Sequence, residues 1–284
     1  MSGPVGTSVR WTLPLALAGA GAARAALAGA AALDRRPGGR PWRRTNFAGR
    51  PVTLLGGPAL ALSATASAVL GAPAGTRAAA AVVGTVSGLV GAYDDLAGAR
   101  PEQARDKGLA GHLRALRAGR VSAGAVKVAG IGAAAATAAV LTRRGTGAAA
   151  FVDGVLTTGL VAGTANLVNL LDLRPGRAGK AGVLTAAASL RGPAGALVAG
   201  PLGATLAVLP ADLGERVMLG DSGANALGAL LGLRLAGIPA RGARTGLLAA
   251  VVALTLASEK VSFTKVIEAT PGLRELDRLG RRAP

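Results

Sequence analysis

Cysteine is missing from all 284 residues, which excludes disulfides, thiolate catalysis and Cys-based metal sites. Histidine occurs once, at His112, so zinc has no ligand set. Aromatic residues make up 2% of the chain and charged residues 16%, so a water-soluble core would lack the bulky side chains that usually fill one. What is present is Ala, Val, Leu and Gly, with 51% hydrophobic residues, 44 glycines and a mean hydropathy of +0.46. These residues come in blocks and do not alternate with polar ones along amphipathic helices, which is the signature of membrane spans. Small side chains suit close helix–helix packing in lipid.

The apolar stretches run at roughly 11–33, 52–72, 77–93, 121–142, 147–171, 181–190, 194–210, 219–238 and 243–259, the sixth being short for the ~20 residues of a full crossing. The expectation is an all-α, polytopic transmembrane helix bundle of about nine spans, one domain over 1–284, with a basic cytoplasmic tail over 260–284. Arg10 precedes the first stretch without a convincing signal-peptidase site, so that stretch is read as a retained span. With the N-terminus outside and the C-terminus in the cytoplasm, the inner segments hold Arg35 to Arg50, Arg100 to Arg120, Arg174 to Lys180 and the tail cations, while few arginines stay outside. The same topology puts every Asp and Glu except Asp153 on the inner side. A net charge of +18 would point to nucleic acid in a soluble protein. Here the bilayer and the positive-inside bias account for it, so contact with membrane lipids and none with nucleic acid is expected.

Three motifs could carry chemistry. Tyr93-Asp94-Asp95 ends the third stretch, and adjacent carboxylates repel unless a cation or proton intervenes, as in Mg²⁺ or general-base sites. The plain alternative is a solvated helix end. Asn166, Asn169 and Asp172 are spaced by three on one helical face of an apolar stretch. They could hold a nucleotide or a metal-bound diphosphate, or form an interhelical hydrogen-bond ladder. Gly220-Asp221-Ser222-Gly223 opens the eighth stretch, where a helix N-terminus attracts phosphate and where Asp221 could equally be an N-cap.

In their order and on one membrane face, these runs resemble the polyprenyl-phosphate N-acetylhexosamine-1-phosphate transferases. That superfamily includes phospho-N-acetylmuramoyl-pentapeptide transferase and undecaprenyl-phosphate N-acetylglucosamine 1-phosphate transferase. The pair Gly56-Gly57 after the basic loop looks like them as well, and the resemblance spans about residues 40 to 240. It implies Mg²⁺-dependent transfer of a sugar 1-phosphate from a UDP-sugar to polyprenyl phosphate at the inner leaflet of a bacterial plasma membrane, releasing UMP in cell-wall or cell-surface glycan synthesis. Under it, Asp221 is the main Mg²⁺ ligand, Asp94 activates the lipid phosphate and shares the metal, and Asp95 assists both. Asn166, Asn169 and Asp172 contact the nucleotide or the metal shell, and a homodimer is left open. Lys107 becomes a phosphate contact, a solvated loop lysine being the plainer alternative. The chain departs from the family in two places. Pro175 stands where a second Asp usually follows Asp172, and the His-rich C-terminal segment is missing, with His112 read as a surface loop residue. Arg174 and Arg177 could replace lost diphosphate contacts, because Arg reads phosphate bidentately.

Competing readings are an intramembrane prenyltransferase, which needs two Asp-x-x-x-Asp-like clusters, and a degenerate, non-catalytic relative that binds lipid carrier or nucleotide. A transporter would need a mid-membrane charge chain, for which Arg24, Lys127 and Arg234 are the candidates. Snorkelling toward the interface is their alternative.

Overall fold

The nine apolar stretches each become a helix. The computed structural model describes residues 5–97, 117, 122–192 and 194–282. Its long helices are α1 (Val5–Asp34), α2 (Gly56–Gly71), α3 (Arg77–Ala97), α4 (Ala123–Leu141), α5 (Gly147–Leu171), α6 (Arg177–Ala188), α7 (Ala196–Leu213), α8 (Gly220–Ala236) and α9 (Arg241–Ser258). Two short helices, α10 (Phe263–Ala269) and α11 (Pro271–Arg278), complete the chain. A small antiparallel hairpin, β1 (Arg43–Thr45) and β2 (Pro51–Thr53), joins α1 to α2 in the register Arg43 to Thr53.

Among the described residues, four helical segments are long and apolar enough to cross a membrane: Thr12–Asp34, Ala123–Leu141, Gly147–Leu171 and Ala196–Leu213. A fifth is added if α9 and α10, bent by 98°, count as one broken span. The remaining helices fall short of that test in length or in apolarity. With 12 residues, α6 rises only about 18 Å. Its C-terminal end still reaches the end of α8, where Arg234 donates from Nε to the Ser189 carbonyl at 2.9 Å.

Successive helices run up and down, as the contacts of their ends show. At one end, the start of α2 meets Val217 and Leu219, Lys127 near the start of α4 meets Asp94 of α3, and the Gly176 N–H meets Asp212 of α7. At the other, Gly71 of α2 meets Ala196 of α7, and Arg241 of α9 meets Asp153 of α5. The centre is α8, with 14 of its 17 residues buried, as expected of a helix apolar all round. It packs on α5 through Gly228 and Gly232. A Cβ on Gly228 would lie 2.6 Å from the Thr164 carbonyl oxygen, and one on Gly232 would overlap that of Leu160. Backbones so close bring together the ends that carry the acids.

The segment after α9 does not trail away as a free basic tail. Asp277 is 7% exposed and sits between Arg177 and Arg281, at 2.8 and 2.7 Å. Lys180 donates to the carbonyls of Leu276 and Asp277, both at 2.8 Å. The two short helices are therefore held against the start of α6. Burial alone would raise the Asp277 carboxyl, but the Arg177 and Arg281 guanidiniums hold it below the usual carboxylate range.

Candidate active site

Four helix ends bring acids to one end of the bundle: Asp94 and Asp95 from the last turns of α3, Asp172 just past α5, Asp212 from the end of α7 and Asp221 from the first turn of α8. The key joint is Gly220. Its φ of +56° is cheap only for glycine, and a Cβ there would lie 2.8 Å from an Asp95 oxygen. In this conformation the backbone N–H groups of Asp221 and Ser222 each donate to one oxygen of Asp95, both at 3.0 Å. Asp95 thus caps α8 from across the bundle. Ser222 adds a bond from Oγ to the Gly88 carbonyl at 3.0 Å, and Arg44 of β1 donates to the Asp95 carbonyl at 2.6 Å. A Cβ on Gly91 would overlap the Asp221 carbonyl oxygen, so glycine is required for this approach.

With the two helix ends locked, the carboxylates of Asp94 and Asp221 come within hydrogen-bond reach of each other. The Lys127 ammonium lies between them, 2.6 Å from Asp94 Oδ2 and bonded to Asp221 Oδ2. All three side chains keep less than a quarter of their surface exposed, and so remain reachable from one side. Ser122 fixes the start of α4 by accepting the Ala125 N–H at 3.2 Å, which sets the register that aims Lys127 inward.

Asp172 follows α5 directly and has the Gly220 backbone N–H directed toward it. Burial pushes its carboxyl well above the usual range, and the charges of Asp212, Asp221 and Asp95 push the same way. Asp212 Oδ2 accepts the Gly176 N–H at 2.9 Å. Asp172, Pro175 and Asp212 line one small cavity of about 30 Å³, so a carboxylate stands beside Pro175 after all.

The other expected residues divide. Asn166 is exposed and Asn169 half-buried on α5. Among the described residues neither amide is tied into an interhelical ladder, so both stay open to a ligand. The Arg174 guanidinium lies over the Phe47 ring, 4.4 Å from its centroid, at the rim of the small cavity. Arg177 does not face the acids. It is 5% exposed and committed to Asp277 and Thr264, so the structure gives it to the C-terminal segment and not to a diphosphate. Lys107 and His112 lie outside the described residues. Sequence reasoning missed Lys127 as the partner of the acids and Asp212 as a member of the cluster. A lone Lys, the seventh residue of an apolar stretch, was the available signal for the first.

Among the described residues, no group of three or more acidic or histidine side chains closes round one point suited to a metal. Mg²⁺ at phosphoryl-transfer sites is, however, commonly held by only one or two carboxylates together with substrate phosphates and water. Asp94 and Asp221 offer such a pair, and the Lys127 ammonium between them shows that the gap accepts a cation. Comparison of the chain with protein-family models, with curated proteins and with solved structures finds no match.

Proposed function

We propose that the chain is an integral membrane glycosyl-1-phosphate transferase of the polyprenyl-phosphate N-acetylhexosamine-1-phosphate transferase kind. In this reading all nine long helices lie in a bacterial plasma membrane, with the N-terminus outside and the C-terminus and the acid cluster in the cytoplasm. The donor is a UDP-sugar, the acceptor a polyprenyl phosphate, and the products are UMP and the polyprenyl diphosphate sugar. The observation that carries it is the convergence of Asp94, Asp95, Asp172 and Asp221 from three separate motifs on one reachable end of the bundle. Asp212 supports it further by placing a carboxylate beside Pro175.

An oxygen of the polyprenyl phosphate attacks the sugar-linked phosphorus of the UDP-sugar. The bond from that phosphorus to the bridging oxygen breaks, and UMP leaves with the electron pair. Asp94 takes the proton of a monoprotonated acceptor phosphate, leaving the dianion as nucleophile. Such a reaction is chiefly positioning and charge neutralisation. Asp94 and Asp221 would hold Mg²⁺, which would supply the neutralising charge. Lys127 holds Asp94 and Asp221 at a fixed separation and offers a second cation to the phosphates. Asp95 keeps the first turn of α8 aimed at the site through the Asp221 and Ser222 amides. Asn169, Asn166 and Arg174 border the cluster as nucleotide contacts.

The test is product formation by the purified full-length protein in detergent with polyprenyl phosphate and a panel of radiolabelled UDP-sugars, with Mg²⁺ or EDTA. Mg²⁺-dependent lipid-linked product from one sugar is the expected result. No product from any sugar, with a known transferase active in the same mixture, would favour the non-catalytic carrier-binding reading.

A further inference from the structure

The end of the bundle opposite the acids carries a second polar centre. Asp153 and Asp172 stand 19 residues apart along α5, about 28 Å at the helical rise, which is close to the ~30 Å hydrocarbon thickness of a bilayer. Here the balance of charge is reversed. Asp153 is the one carboxylate among the described residues at this end, and Arg241 grips it through both oxygens at 2.9 and 3.0 Å while Arg244 adds a third bond at 2.8 Å. Arg143 and Arg144 lie beside them in the wall of a cavity of about 350 Å³ that also includes Arg244 and Gly154. The Nε of Arg244 is buried without a hydrogen-bond partner, a costly state for a guanidinium donor. Four arginines around one carboxylate leave positive charge that no other acid among the described residues at this end balances.

A second cavity, of about 490 Å³, lies beside the first, with Ala139, Arg143, Ala150 and Gly154 lining both. Its walls are apolar, with Val140, Val155 and Phe151, the last 72% exposed. A basic chamber next to an apolar groove on the flank of a bundle matches an amphiphile with an anionic head. A free phosphate ion would leave the groove empty.

We propose that this end holds a structural site for an anionic phospholipid, its phosphodiester against Arg143 and Arg144, and one acyl chain along Val140, Phe151 and Val155. The site is independent of the transferase reading, lying about a bilayer's thickness from the acids. It takes a resident lipid of the far leaflet, where arginines are otherwise disfavoured by the orientation bias. Gly154 lines both cavities, and a Cβ there meets nothing within 4 Å, so a large side chain at this position would enter the open space.

The experiment is thermal unfolding of the full-length protein in neutral detergent micelles, titrated with phosphatidylglycerol, with phosphatidylcholine or with soluble glycerol phosphate. Phosphatidylglycerol should raise Tm saturably, and the other two should not. Arg143→Gln with Arg144→Gln should weaken that effect about tenfold, as expected for lost charge-assisted hydrogen bonds. Gly154→Leu should abolish it without lowering the lipid-free Tm. Equal shifts with phosphatidylcholine, a full shift with glycerol phosphate alone, or wild-type titrations in both variants would each overturn the proposal.

Discussion

Replacing Lys127 with Met keeps the length and apolar stem of the side chain and removes only its charge. Lys127 Nζ stands 2.6 Å from Asp94 Oδ2, a separation at which two unit charges attract by about 6 kcal/mol at an effective dielectric constant near 20. Desolvation of the ammonium and the carboxylates offsets much of this, and removing one partner of a buried pair typically costs about 3–5 kcal/mol. Because the three side chains keep some exposure, the lower figure applies, about 3 kcal/mol. The loss should be conditional. Without the ammonium, Asp94 and Asp221 repel each other, and a divalent cation becomes the only group that can hold them together. Lys127→Met should therefore unfold more readily in EDTA and regain most of the difference in millimolar Mg²⁺, a rescue that wild type shows only weakly. Thermal unfolding in detergent with and without Mg²⁺ measures both halves. A variant as stable as wild type in EDTA, or one that Mg²⁺ does not rescue, would refute the idea that Lys127 sits in a cation position.

Gly228→Val should cost about 1–3 kcal/mol or more through overpacking against the α5 backbone, seen as lower Tm. Gly132→Ala on α4, where a Cβ meets nothing within 4 Å, should stabilise by up to about 1 kcal/mol. Docking of α10 and α11 should depend on acid. The folded Asp277 carboxyl titrates below its unfolded value of about 3.9, so its contribution is complete above that value and is lost as pH falls through the lower folded one. Limited proteolysis of the C-terminal segment with an acid-stable protease should accelerate in that window, and Asp277→Asn should cleave fast at every pH; a wild-type rate that ignores pH would contradict the pairing.

The helices were legible because their signal is block hydrophobicity, which survives without tertiary knowledge. Each apolar stretch from α1 to α9 could be placed within a few residues, even the short α6, which is helical despite its length. The convergence of Asp94, Asp172 and Asp221 was legible too, since helix direction alone brings alternate ends to one face. What could not be read was pairing between distant residues. Arg177 and Asp277 are 100 positions apart, and nothing local marks them as partners, so Arg177 looked like a phosphate contact. Asp95 and Asp94 are neighbours with different tasks. One accepts two backbone amides of α8 and the other meets Lys127, a division that depends on Gly220 adopting a left-handed conformation. Lys127 was visible as an anomaly inside an apolar stretch, but its role required the position of α8.

The most direct test of the central claim is the exchange of radiolabelled UMP into the UDP-sugar found active in the substrate panel, in the presence of polyprenyl phosphate, measured for wild type, Asp94→Asn and Asp221→Asn in matched detergent preparations with equal Tm. If the acid pair is the reacting centre, wild type exchanges only with Mg²⁺, and each Asn variant loses at least about 10²-fold, the scale at which general-base or charge-stabilising groups contribute. Exchange that persists undiminished in both variants would contradict the assignment of this cluster as the catalytic site.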